Sequence, residues 1–229
     1  MASNYKIKYN VDMVFVIDAT GSMDNIIDIV KQNALNFYTD VTDAMTRKRK
    51  VIDTLRIKVI AFRDYIADGA DAMLSTEFFT LPNDEAEFSN TVNAIEAIGG
   101  GDDPEDGLEA IGYAIRSQWN REGMKRRQII VVWSDAPTHE LGVGAANPGY
   151  PKKMAKTFDE LSRWWGNGEM PSEYIDNDAK RLVLFTPEAD WWNSIVNTWN
   201  NVYHIPTLEG QGLREHGYEQ MIETITNTI

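Results

Sequence analysis

The chain has 229 residues, 43% of them hydrophobic, no cysteine and a formal net charge of −13. That length and apolar content allow a full core in one large domain or two small ones, while the missing cysteines exclude disulfides, thiol catalysis and thiolate-held metals and fit a reducing cytoplasm. A general nucleic-acid binder is more often basic, no apolar run reaches the roughly 18–20 residues that span a bilayer, and the opening MASNYKIKYN carries no apolar signal core, so nucleic acid, membrane and that secretory route are not expected.

In chain order, VDMVFVID (11–18) is the first strand. It is apolar on both faces and stops on an acid, Asp18, followed at once by Thr20, Gly21 and Ser22. Ile26, Ile27, Val30, Ala34, Phe37, Val41 and Met45 then recur at three- and four-residue steps and predict one helix of about five turns. The basic runs RKRK (47–50) and KRR (125–127) lie between helical and strand patterns and read as solvated connections. LRIKVIAF (55–62) is the second strand, ending in FRDY with Arg63 and Asp64. STEFFTL (75–81) predicts an antiparallel edge strand.

The Gly-rich loop GGGDDPEDG (99–107) brings Asp102, Asp103 and Glu105 before a helical stripe of Leu108, Ile111, Ile115 and Trp119. QIIVVW (128–133) is a strand that runs into Ser134, Asp135 and then APTHE. Residues 140–152 and 166–180 read as irregular loops, separated by a stripe of Met154, Phe158, Leu161 and Trp165. RLVLF (181–185) and VYHI (202–205) are further strands, and Tyr218, Met221, Ile222 and Ile225 form a last helical stripe. The expected order is βα, ββ, α, βα, βα, βα in one domain over 1–229. This is an α/β fold: a doubly wound, Rossmann-like open sheet, mostly parallel with one antiparallel edge strand and helices on both faces.

Ligands of such sheets bind at the carboxyl ends of the strands, where the topology reverses. The polar residues expected there are Asp18, Thr20 and Ser22, then Arg63 and Asp64, the acids of the Gly-rich loop, and Ser134 with Asp135. Clustered carboxylates without basic partners call for a bound cation, and an all-oxygen set suits a hard cation such as Mg²⁺. His139 reads as a loop residue at the rim, and His204 as a hydrogen-bonded core residue. The tryptophans, including the pairs at 164–165 and 191–192, read mostly as core, with one member of each pair partly exposed.

These residues resemble the von Willebrand factor type A domain, whose metal-ion-dependent adhesion site is written D-x-[ST]-x-S, a Thr in a second loop, and an Asp after a later strand. DATGS supplies Asp18, Thr20 and Ser22, and WSD supplies Asp135. Where the family has its second-loop Thr, this chain has Asp102, which adds a negative charge. The pair GGGDDPE and SDAPTH is similar to the subgroup attached to alpha-type protein kinases. The resemblance implies a non-enzymatic module that binds Mg²⁺, with Mn²⁺ or Ca²⁺ as substitutes, through Asp18, Thr20, Ser22, Asp102 and Asp135. It also implies a protein partner that presents an Asp or Glu carboxylate to the ion. The alternative is an enzyme: DATGS also resembles the phosphorylation motif of haloacid-dehalogenase-type phosphotransferases, with Asp18 as nucleophile. Ala19 stands where that motif expects a further Asp or Lys, and no strand-end lysine occupies a credible position between the motifs.

Overall fold

A computed structural model describes residues 7–101, 104–167, 169–211 and 217–229. Among these, seven strands make one sheet: β1 (Lys8–Asp18), β2 (Val51–Phe62), β3 (Met73–Ser75), β4 (Phe79–Leu81), β5 (Arg126–Trp133), β6 (Lys180–Pro187) and β7 (Val202–Thr207). The spatial order is β3-β2-β1-β5-β6-β7, and β4 also pairs with β2. All pairings are parallel except those of β3 and β4 with β2. The expected antiparallel edge is thus present but divided. Thr76 interrupts it, with its N–H donating to Val59 O (3.0 Å) and its hydroxyl accepting from Val59 N–H (3.0 Å).

The helices are α1 (Asp24–Asn33), α2 (Phe37–Arg47), α3 (Tyr65–Asp68), α4 (Glu85–Asn93), α5 (Gly107–Ile115), α6 (Phe158–Trp165), α7 (Asp190–Thr198) and α8 (Tyr218–Asn227). They cover both faces. Met13, Phe15 and Ile17 of β1 pack with α1, α2, α4 and α8. Val14 and Val16 point the other way, into a core with Leu108 and Ile111 of α5, Leu161 and Trp165 of α6, and Trp192 of α7. Successive strand side chains face opposite ways, so a strand buried on both sides must be apolar throughout.

The seven residues of the first helical stripe are all buried, but the helix is not continuous. Residues 34–36 form a turn in which Asn36 N–H and Phe37 N–H reach back only three residues, to Asn33 O and Ala34 O. The Asn33 side chain donates to Ile29 O (2.8 Å). Asparagine side chains compete with the backbone in this way, which is why they loosen helices. Two other stripes overrun their helices. Trp119 lies beyond α5, buried, with its indole N–H capping Ile115 O (2.9 Å), and Met154 is buried in a turn before α6. The short helix α4 was absent from the expected order, because its inward face is little more than Phe88 and Val92. Trp165 and Trp192 are fully buried, whereas Trp164 and Trp191 stay partly exposed.

The chain leaves β1 for β2 on one side and later returns to β5 on the other. The crevice at the carboxyl ends of β1, β2 and β5 is therefore the topological switch point. Near the opposite end of β1, Asp12 is buried and accepts hydrogen bonds from Arg56 Nε (2.8 Å), Arg56 Nη2 (2.5 Å) and Asn120 N–H (2.6 Å). The Arg56 guanidinium in turn lies over the Phe78 ring, 4.5 Å from its centroid.

Candidate functional site

Asp18 closes β1 and is fully buried. Its Oδ1 accepts from the Thr20 N–H (3.0 Å) and the Thr20 hydroxyl (2.6 Å), and its Oδ2 accepts from the Ser134 hydroxyl (2.7 Å). Ser22 is exposed, and its hydroxyl donates to Asp135 Oδ1 (2.7 Å). Asp18, Thr20, Ser22, Ser134 and Asp135 thus form one cluster bridging the ends of two adjacent strands. Burial pushes the Asp18 carboxyl up to about 6, against the hydroxyl and amide donors that favour its charged form, and Asp135 adds to the rise. Asp102 and Asp103 lie outside the described residues.

The surrounding loops are braced by backbone bonds. Ala19 N–H donates to Phe62 O (2.8 Å), and Ala19 O accepts from Ile98 N–H (3.0 Å) and Arg63 Nε (3.2 Å). Arg63 also reaches the carbonyls of Asp71 and Glu96, so it ties loops together and does not pair with Asp18. Gly100 has φ +71°, and a Cβ there would stand 2.7 Å from Thr20 Cγ2 and 2.8 Å from Glu105 Oε1. Only glycine allows the Gly-rich loop to approach Thr20 so closely. The same contact places the buried Glu105 carboxylate beside that part of the site. On the other side, Trp192 Nε1 donates to Ala136 O (3.0 Å) and Gly210 N–H to Asp135 O (2.9 Å).

A second group of ionisable residues lies on the same end of the sheet. Among the described residues, Asp64, Asp106 and His139 each bring one potential ligand atom within 4.8 Å of the others. Asp64 caps α3, accepting from Ile66 N–H (2.8 Å) and Ala67 N–H (3.2 Å). Asp106 Oδ2 accepts from Tyr65 N–H (2.6 Å). Burial raises the Asp106 carboxyl to about 6. Below it, Glu109 Oε1 accepts from Gly142 N–H (2.8 Å) and the Tyr150 hydroxyl (2.9 Å), and burial followed by the Asp106 charge raises it to about 7. Sequence reasoning placed Asp64 at a strand end and His139 at the rim. It passed over Asp106 and Glu109, although Asp106 stands in the acidic loop. Glu109 sits inside an apolar helix, which gives the only hint of its burial. His204 is half-buried, with Nε2 against Thr186 O (2.9 Å).

Glu109 carries a pH prediction. The folded chain holds this proton up to about 7, whereas an unfolded glutamate loses it near 4.5. Between those values the native state binds more protons, so the group makes stability fall as pH rises from 4.5 to 7. Glu109→Gln keeps the Oε1 acceptor and removes the charge. Without metal at pH 8 it should be more stable than the parent by roughly 1–3 kcal/mol, with little difference at pH 4.5. Urea midpoints at the two pH values measure this, and an equal offset at both would contradict it.

A family model described as von Willebrand factor A domain matches residues 12–140. The chain belongs to the von Willebrand factor A family. The match spans β1 to the loop after β5 and so contains both acidic clusters. Domains of this family are generally protein-interaction modules and often bind a divalent metal. Among relatives, the chain is 28% identical over 141 residues to the alpha-protein kinase vwkA of Dictyostelium discoideum, covering 62% of this chain and 21% of that one. It is 27% identical over 181 residues to a chain of Acanthamoeba polyphaga mimivirus described as an ariadne-like RING finger protein, covering 77% of this chain and 15% of that one. The chain therefore spans about a fifth or less of these relatives. The pilus adhesin SpaC from Lactobacillus rhamnosus GG, in an open conformation, superimposes with a TM-score of 0.51 at 12% identity. That superposition covers 98% of this chain and 30% of SpaC, a likeness of fold. No helix among the described residues is long and apolar enough to cross a membrane.

Proposed function

We propose that the chain is a von Willebrand factor A module that holds a protein partner through a divalent cation, most simply Mg²⁺. The proposed ligands are Asp18, Thr20, Ser22 and Asp135, with Asp102 from the second loop. The observation that carries the reading is the bridge between strand ends: Ser134 to Asp18 and Ser22 to Asp135, both at 2.7 Å. It gathers carboxylates and hydroxyls into an all-oxygen set of the kind that suits Mg²⁺, Mn²⁺ or Ca²⁺. The buried Asp18 has Ser134 and Thr20 as hydrogen-bond partners, but a cation would compensate its charge far better than hydroxyls do. Ser22 stands exposed on the open side, where a partner's Asp or Glu carboxylate could complete the coordination. The cation would supply a Lewis-acidic position for that carboxylate.

Binding is favoured over catalysis. An aspartyl-phosphate mechanism of that type expects a further Asp or Lys directly after the nucleophile, and Ala19 stands there. The net charge of −13 disfavours nucleic acid, and the absence of cysteine suits a cytoplasmic setting. We take residues 1–229 to act as one unit. The test is capture on the immobilised chain in Mg²⁺ or in EDTA, beside the Asp135→Asn variant. The expected partner is retained in Mg²⁺, released by EDTA and absent from the variant. The same proteins held equally in EDTA would contradict a cation-dependent contact.

A further inference from the structure

We propose that Asp64, Asp106 and His139 form a second divalent-cation site, separate from the strand-end cluster around Asp18 and suited to a borderline metal such as Zn²⁺. The three residues come from distant segments: the end of β2, the loop before α5 and the loop after β5. Backbone bonds lock these segments together. Asp106 N–H donates to Arg63 O (3.2 Å), Glu105 N–H to Pro137 O (3.0 Å) and His139 N–H to Glu105 O (2.8 Å). The ligand positions are therefore set by the fold before any ion arrives, as metal sites require.

The atoms fit the ion. Their mutual separations are at most 4.8 Å, and His139 Nε2 lies 3.7 Å from Asp64 Oδ1. Some point therefore lies within about 2.8 Å of all three atoms, so small side-chain shifts reach the roughly 2.0–2.2 Å of zinc–nitrogen and zinc–oxygen bonds. The 3.7 Å contact is too long for a hydrogen bond, and it is an ion pair only when the imidazole is protonated, so a neutral His139 leaves both carboxylates without a counter-charge from it.

A second, independent observation points the same way. Asp106 is fully buried, and its Oδ1 has no hydrogen-bond partner among the described residues. A buried acceptor left in that state is costly unless something occupies it. Lysine and arginine do not answer the charge either. Among the described residues their ion pairs are Lys8–Asp53, Arg56–Asp12 and Arg126–Asp176, all elsewhere. The backbone donors on Asp64 and on Asp106 Oδ2 orient both carboxylates without neutralising them.

Ligand chemistry separates this site from the first. Two carboxylates and an imidazole favour Zn²⁺, Co²⁺ or Mn²⁺ over Mg²⁺, whereas the Asp18 cluster offers oxygens alone. His139 keeps 16% of its side chain exposed, which gives the ion a way in and leaves room for water in the remaining coordination position.

The test uses the full chain, stripped with chelator, and the Asp18→Asn variant as background, so that failure at the first site cannot be mistaken for failure here. Titration with Co²⁺ is read by visible absorption and then by competition with Zn²⁺. The Asp18→Asn chain should bind one equivalent and develop ligand-field bands. Adding His139→Ala at the rim should weaken binding at least about a hundredfold and remove the bands, since even loss of an outer-shell partner costs 10–100-fold. Asp106→Asn should do the same, while single His139→Ala keeps the Mg²⁺ titration of the parent. No stoichiometric uptake by the Asp18→Asn chain, or uptake unchanged by both further substitutions, would overturn the proposal.

Discussion

Replacing Asp18 with asparagine should abolish stabilisation by Mg²⁺ and, in the same variant, make the metal-free chain more stable at neutral pH. Asparagine is isosteric. Its Oδ1 can keep the Thr20 N–H and hydroxyl donors, and its amide can donate to Ser134 Oγ, which sits 2.7 Å from Asp18 Oδ2. What it removes is a buried charge. The native carboxyl holds its proton to about 6, against 3.8 for an ordinary aspartate. Between these values the folded state binds more protons, so stability falls as pH rises from about 4 to 6 and stays reduced above it. The asparagine chain lacks that loss and should gain roughly 1–3 kcal/mol at pH 7.5. The parent should recover about 2.7 kcal/mol when Mg²⁺ reaches a hundred times its dissociation constant, and the variant nothing. Urea unfolding at pH 7.5, in EDTA and in Mg²⁺, reads both effects. Equal stabilisation of the two chains by Mg²⁺ would remove Asp18 from the site.

Asp12→Ala should destabilise the chain by about 3 kcal/mol without changing metal affinity. The substitution leaves Arg56 without its two bonds to the carboxylate and the half-buried Asn120 N–H without its acceptor. Removing one partner of a buried pair usually costs about 3–5 kcal/mol, and the partial exposure of Arg56 puts this case at the lower end. Asp12 precedes Asp18 by six residues of strand, roughly 20 Å at 3.3 Å per residue, so the metal cluster should not sense the loss. A denaturation midpoint that barely moves, or a changed Mg²⁺ affinity in the folded variant, would contradict this assignment.

The features legible in the sequence share one physical cause, which is local patterning. β1 was readable because burial on both faces demands an unbroken apolar run, and Asp18 because a carboxylate ending such a run is conspicuous. The stripes of Ile26 to Met45 and of Leu108 to Trp119 identified the right faces, since each residue is buried. Periodicity reports which way a side chain points, and not whether the backbone hydrogen bonds continue. That is why the turn at 34–36 and the capping position of Trp119 escaped it. Where the edge strand splits, Thr76 bonds across to Val59 of β2 through both its N–H and its hydroxyl, which no period in the sequence reports.

The candidate site divides along the same line. Asp18, Thr20 and Ser22 fall within five consecutive residues and form a motif, and Asp135 follows a recognisable strand. The Asp64, Asp106 and His139 group is assembled from three loops whose meeting depends on the order of the strands. No short window contains it, so His139 alone read as an ordinary rim residue. Asp102 stands outside the described residues, and its place in the ligand set rests on the family pattern.

The most direct test of the central claim is calorimetric titration of the chelator-treated chain with Mg²⁺, beside Ser22→Ala and Asp135→Asn. Their side chains share the 2.7 Å hydrogen bond across the strand ends. The parent should bind one Mg²⁺, Asp135→Asn should show no measurable binding, and Ser22→Ala should bind at least about tenfold more weakly. A parent that takes up no Mg²⁺, or variants that bind it as the parent does, would contradict the assignment of a cation to the ends of β1 and β5.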